Sequence, residues 1–132
     1  MKACTISGLA ATVALCVAVA PAIAHHSFAA YDMSRTLAAD GTLKEFRWGA
    51  PHSSMVLIYM EKGKAKEMSI ISGSPLMFAK QGLTPRDFKR GEKVKITYHP
   101  NTGGQPGGAM ASVTLASGKS FSDTEAARVG GI

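Results

Sequence analysis

Cysteine is nearly missing from this sequence, with two among 132 residues, Cys4 and Cys16, both within the first 24. Aromatic residues are sparse at 7%, with one tryptophan, and 9 acidic residues face 15 Lys plus Arg. The longest apolar run, residues 8–20, falls short of the roughly 20 residues that cross a bilayer as a helix. No paired carboxylates at useful spacing and no nucleophile motif occur. Gly103-Gly104 and Gly107-Gly108 lack the following helix and the lysine of a phosphate-binding loop. Classical hydrolase and transferase chemistry therefore has no support, and no internal repeat is present. A hydrophobic share of 45% and a charged share of 18% fit one small globular domain and exclude a disordered, collagenous or coiled-coil chain.

The first segment begins Met1-Lys2, continues apolar, and ends Pro21-Ala22-Ile23-Ala24. This is the pattern of a secretory signal peptide with small residues at Ala22 and Ala24, predicting cleavage before His25. Cleavage after Ala20 would put the ring of Pro21 just past the cut. Leu15 before Cys16 argues against lipidation, which needs a small residue there. Removing 24 of 132 residues leaves 108, takes away both cysteines, and lowers the formal net charge from +6 to +5 by the loss of Lys2. Disulfides, thiolate metal sites and cysteine nucleophiles are excluded together. No transmembrane anchor is expected after processing.

Residues 25–39 are expected to form an N-terminal arm, 40–122 a β-domain, and 123–132 a flexible tail. Asp40-Gly41 is expected as a turn before a first strand over 42–48, with Phe46 and Trp48 on one face. A continuous apolar run over 55–60, the charged turn Glu61-Lys62-Gly63-Lys64 and a returning strand over 66–71 complete a meander. Ser74, Pro75 and Gly82 then bracket a two-turn helix. Val94, Ile96 and Tyr98 alternate with Lys93, Lys95 and Thr97 in the cleanest period-two pattern of the chain. Residues 100–108 are expected as a mobile loop, and Ala111, Val113 and Leu115 mark a fifth strand before a turn into 119–121. The order predicts a mainly β fold, a five-stranded OB-like, partly open barrel with one short helix between strands 3 and 4. A small β-sandwich is the competing architecture.

The four histidines are the residues with the most chemistry. Cleavage before His25 would leave His25-His26 at the mature terminus, where the α-amine and imidazole of His25 can chelate one metal as a histidine brace, completed by a third nitrogen. Amine and imidazole nitrogens in tetragonal geometry suit Cu(II). The third-nitrogen candidates are His52, in the loop after the first strand, and His99, at the end of the fourth; His26 offers an alternative set with the terminal amine. Against these stand solvated terminal histidines, a His52 that only fixes its turn, and a His99 that shares the solvent-facing parity of Lys95 and Thr97. Six methionines remain after processing, scattered singly, and most fit core filling better than Cu(I) ligation. The lysines at 62, 64 and 66 and the basic residues at 89, 90, 93 and 95 fit solvated strand edges better than a nucleic-acid surface, so no nucleic-acid partner is expected.

His25-His26-Ser27-Phe28-Ala29-Ala30-Tyr31-Asp32, the segment Gly41 to Trp48 followed by Pro51-His52, Gly73-Ser74-Pro75, and Gly91-Glu92-x-Val94 together resemble a family of small exported bacterial proteins catalogued as a domain of unknown function. The resemblance spans nearly the whole mature chain and implies a periplasmic protein of compact, mostly β fold, without implying an activity. Two departures are Ala50, where the family carries Asn before Pro-His, and the absence of a Trp near Glu67-Met68. The resulting expectation is a non-enzymatic periplasmic binding protein holding copper through His25 (α-amine and imidazole) and His52, with His26 or His99 as auxiliaries. The alternative is a metal-independent module for an envelope peptide, glycan or protein. A copper-dependent oxidative enzyme is disfavoured, since brace-bearing monooxygenases use larger scaffolds.

Overall fold

The computed structural model describes residues 28–129. The signal segment, His25 and His26 lie outside the described residues. The strands are β1 (Leu37–Arg47), β2 (Ser54–Glu61), β3 (Lys64–Ile71), β4 (Lys93–Pro100), β5 (Gly107–Thr114) and β6 (Ser120–Ser122). The helices are α1 (Pro75–Lys80) and α2 (Thr124–Val129), with a short 3-10 turn at Pro85–Asp87.

The expected meander is present, with β1, β2 and β3 antiparallel in series. The β2–β3 turn is tight because Lys62 and Gly63 both take positive φ, 50° and 76°, the pairing that matches strand twist in a two-residue hairpin. Asp40-Gly41 is not a turn. Both residues sit inside β1, which pairs with β4 through Leu37–Thr42 and with β2 through Thr42–Arg47, so one strand serves two neighbours on either side of a bend. A register shift between Leu43 and Glu45 marks that bend.

Gly107 and Gly108 also depart from expectation. They open β5, where Ser69↔Gly107, Ile70↔Gly108 and Ile71↔Ala109 pair in parallel and join β3 to β5. With β4–β5 and β1–β4 antiparallel, this pairing closes a five-stranded barrel, and β6 adds to β5 as an extra strand. The mainly β, OB-like barrel is therefore observed, closed rather than partly open. Only glycine fits at Gly107: its φ is +101°, and an added Cβ would run into the Ser69 backbone.

The core is the alternate face of each strand, including Leu43, Met55, Leu57, Met68, Ile70, Val94, Ile96 and Val113. One end of the barrel is plugged by aromatics. Phe78 of α1 is 0% exposed. It stacks on Phe121 at 4.0 Å between ring centroids and meets Phe46 and Phe88 edge-on at 5.6 and 5.4 Å. Phe46 and Trp48 do share a face, 6.0 Å apart. Helix α1 has the expected bounds, with Pro75 in its first turn and Gly82 at φ +82° after it, but Ser74 caps through its carbonyl rather than its hydroxyl.

Within the segment 123–132 expected as a tail, Thr124–Val129 form α2. Asp123 starts it, its Oδ1 accepting the backbone N–H groups of Glu125 and Ala126, both at 3.0 Å. The arm is likewise docked. Asp32 N–H donates to the Pro100 carbonyl and Thr102 N–H to the Ala30 carbonyl, and Tyr31 bridges Asn101.

Candidate functional site

Four segments far apart in sequence meet around one cleft of about 480 Å³. The arm contributes Phe28 and Tyr31; the turn after β1 contributes His52, next to a cis Ala50–Pro51 peptide; the β3–α1 connection contributes Ser72, Gly73, Ser74 and Met77; and the start of α2 contributes Asp123 and Glu125. Ser53 ties two of these together. Its N–H donates to the Gly73 carbonyl at 2.9 Å and its carbonyl accepts the Ser72 N–H at 2.8 Å, so His52 is held beside Gly73 although 21 positions separate them. Asp123 N–H donates to the Ala111 carbonyl at 2.8 Å, which fixes α2 onto β5 at the far wall.

The cleft is polar on one side and apolar on the other. Asp123 is 6% exposed, and burial raises its carboxyl above the usual carboxylate range, against the pull of its two backbone hydrogen bonds and of the nearby His52. His52 itself is exposed, and burial raises the phenol of Tyr31. The Ser72 hydroxyl is engaged with Met110 Sδ at 3.1 Å. Phe28, Ile71 and Ala109 form the apolar side. A volume of this size lies in the range of small-ligand sites.

The structure places the predicted histidines in different surroundings. His52 lines the cleft, as a ligand reading requires. His99 does not; instead of pointing to solvent it is 2% exposed, its Nδ1 hydrogen-bonded to the Arg35 carbonyl at 2.8 Å. The register shift between Thr97 and Tyr98 puts its extra residue, Ala111, on β5, and Tyr98 keeps the core parity of β4; His99, on the other parity, is buried where the arm runs across the end of the strand. With Nδ1 committed to pinning that arm, His99 belongs to the fold rather than to the cleft. His25 and His26 lie outside the described residues, but Phe28, three positions after His25, is already a wall of the cleft.

Sequence reasoning missed Phe28, Tyr31, Ser72, Met77, Asp123 and Glu125. Asp123 as an N-cap residue with Glu125 in the following first turn is the one local signal for the start of α2. Nothing local marks the others, which the barrel assembles from distant segments. Among the described residues, no three His, Cys, Asp or Glu side chains are arranged to hold a metal ion, and no helix is long and apolar enough to cross a membrane.

A small closed β-barrel with a docked arm and a cleft between arm, turn and α2 defines the protein as a compact, mainly β barrel protein. The sequence matches a family of unknown function, DUF6152, over residues 12–111, and the chain belongs to that family. The matched stretch includes His25, His26, His52 and His99 but ends before Asp123. No curated protein matches the sequence. Among solved structures, the chain is similar to the mitochondrial single-stranded DNA binding protein Rim1 of S. cerevisiae, at 12% identity and a TM-score of 0.45, over 62% of this chain and 93% of that one.

Proposed function

We propose that the protein is exported to the periplasm, is processed before His25, and binds copper at the cleft without catalysing a reaction. The α-amine and imidazole of His25 and the imidazole of His52 form the nitrogen set, with His26 as an auxiliary. The observation that carries this reading is that Phe28 lines the same cleft as His52. Three residues of chain reach at most about 10 Å, so a terminus starting at His25 is tethered at the rim of the pocket that displays His52. The described lining supplies one imidazole, His52, and the carboxylates of Asp123 and Glu125, and the terminus would add the nitrogens that a copper site needs. Such a donor set suits tetragonal Cu(II), and Asp123 and Glu125 add negative potential for a cation.

Other features support the exclusion of nucleic acid as the ligand. Lys44, Lys66, Lys89 and Lys119 are paired with Glu67, Glu61, Glu92 and Asp87. Phe46, Trp48, Phe78, Phe88 and Phe121 are packed against one another rather than displayed as platforms for bases.

Titration of the 25–132 chain with Cu(II), against the same chain carrying one extra N-terminal residue, tests the reading. The extension should abolish the tight site, and equal affinities would refute it. The apolar wall of Phe28, Ile71 and Ala109 favours a second reading, a metal-independent pocket for an envelope peptide, glycan or protein. Capture of the same envelope component with and without chelator, on a chain that binds no Cu(II), would favour that second reading.

A further inference from the structure

Between the start of β1, the ends of β2 and β4 and the loop over 101–106 lies a second recess, of about 310 Å³, that shares no lining residue with the cleft around His52. Its walls are fixed by buried contacts. The ring of His99, 2% exposed, holds the Arg35 carbonyl at 2.8 Å, and so the arm delivers Arg35 to this recess. Asn101 shapes the loop, its N–H donating to the Gly107 carbonyl at 3.0 Å and its Nδ2 to the Gln105 carbonyl at 3.2 Å. Tyr98, on the core parity of β4, is 9% exposed, and its hydroxyl has no hydrogen-bond partner among the described residues. No buried side-chain oxygen among those residues lacks a partner, so the hydroxyl is the part of Tyr98 that opens to the recess. Burial, and then the charge of Tyr59, push this phenol above its ordinary value, which keeps it a hydrogen-bond donor at neutral pH.

Arg35 is the one cation on the lining, and it takes part in no ion pair among the described residues. The acids around it are engaged elsewhere: Asp32, whose carboxylate feels Arg35, by the N–H and hydroxyl of Ser34, and Glu61 by Lys66. A guanidinium without a carboxylate partner presents a planar fork that matches one carboxylate bidentately. A single positive charge on a lining that also carries Glu61 suits a monoanion better than a phosphate dianion. The hydroxyl, amide and carboxylate groups of Tyr59, Tyr98, Gln105 and Glu61 alternate with apolar surface of Leu37 and Pro106, which suits a ring with hydroxyls on its rim and C–H groups on its faces.

We infer that this recess binds an acidic sugar, one hydroxylated ring whose carboxylate is taken by Arg35 and whose hydroxyls are met by Tyr98 and Tyr59. The site is separate from His52 and needs neither reading of the cleft.

The test titrates the isotope-labelled chain from residue 25 to 132 with D-glucuronate in metal-free buffer and follows the backbone amide resonances. Saturable shifts are expected at Arg35 and over 98–107. Glucose, which has the ring without the carboxylate, and acetate, which has the carboxylate without the ring, should each bind more weakly by about tenfold or more, the scale of losing hydrogen bonds to a charged group. Arg35→Gln keeps the backbone carbonyl that His99 holds, and should weaken glucuronate binding by about tenfold or more at an unchanged urea midpoint. Tyr98→Phe, which removes the hydroxyl and keeps the ring in the core, should weaken it in the same direction. No saturable shift with glucuronate, glucose or acetate binding as tightly, or full affinity in Arg35→Gln would overturn the inference. Shifts centred on His52 and Gly73 in place of 98–107 would also overturn it, by placing the sugar in the other cleft. None of these results bears on Cu(II) affinity, which is measured separately.

Discussion

Replacing Gly107 by alanine attacks the closure of the barrel at a single methyl group. The new Cβ would overlap the Ser69 carbonyl oxygen and lie 2.9 Å from its carbonyl carbon and 3.0 Å from its nitrogen, where ordinary contact begins at 3.4 Å. All three atoms are backbone, so no rotamer change relieves the overlap and β3 must retreat from β5. Retreat weakens a parallel pairing of only three residue pairs. Holding alanine at φ +101° costs about 1–3 kcal/mol of strain. Losing two or three backbone hydrogen bonds costs about 1 kcal/mol each. The sum, about 3–6 kcal/mol, is a large part of the roughly 5–15 kcal/mol that stabilises a domain of this size. Urea unfolding followed by the fluorescence of Trp48, the one tryptophan, reads the effect as a lowered midpoint at unchanged slope. Gly103→Ala is the control, since nothing lies within 4 Å of its added Cβ, and its midpoint should hold to within about 0.5 kcal/mol. A loss below about 1 kcal/mol for Gly107→Ala would refute the reasoning, because it would mean β3 and β5 are not in backbone contact there.

Other perturbations give equally definite outcomes. Phe78→Ala should cost about 3–5 kcal/mol in the same assay, since it empties the centre of the aromatic plug. His99→Leu leaves the Arg35 carbonyl without its partner at a cost of about 1–3 kcal/mol, and should speed proteolysis within residues 28–36 while leaving Cu(II) affinity unchanged. Asp87 and Asp123 should respond to pH with opposite sign. Lys119 and the Thr84 N–H hold Asp87 below the usual carboxylate range, so its stabilisation is present above the unfolded pKa and lost as pH falls through the folded one. Asp87→Asn should therefore lower the melting temperature at pH 7 and converge with wild type in acid. Burial raises Asp123, so its relative contribution is greatest below the unfolded pKa and declines as pH rises through the folded one. Asp123→Asn, which still caps α2, should match wild type in acid and exceed it at pH 7, as differential scanning fluorimetry across pH 3–7 would show.

Local signals survived the passage from sequence to structure wherever local physics decides. The alternation over 93–98, the Lys62-Gly63 turn and the Ser74-Pro75 to Gly82 bracket each depend on residues within a few positions, and each appears as expected. What failed was decided at a distance. Gly107-Gly108 looks like loop composition because its reason, the approach of the Ser69 and His99 carbonyls, is carried by other strands. Asp40-Gly41 has turn chemistry, yet continuous pairing on two sides keeps it in β1. His99 keeps the parity of Lys95 and Thr97, but the docked arm covers that face at the end of β4. For the cleft, His52 was legible as a candidate from its residue type and loop position. Its companions were not, because the Ser53–Gly73 pairing and the docking of α2 onto β5 are tertiary events.

The central claim is that a terminus beginning at His25 and the imidazole of His52 form one copper site. The most direct measurement is the Cu(II) affinity of the 25–132 chain with His52 intact, with His52→Ala, and with a single residue added before His25. Each change removes one arm of the same chelate, so each alone should abolish the tight site, and the two together should cost no more than either one. Tight binding that survives both changes, or a terminus found by mass spectrometry to begin elsewhere than His25, would contradict the account.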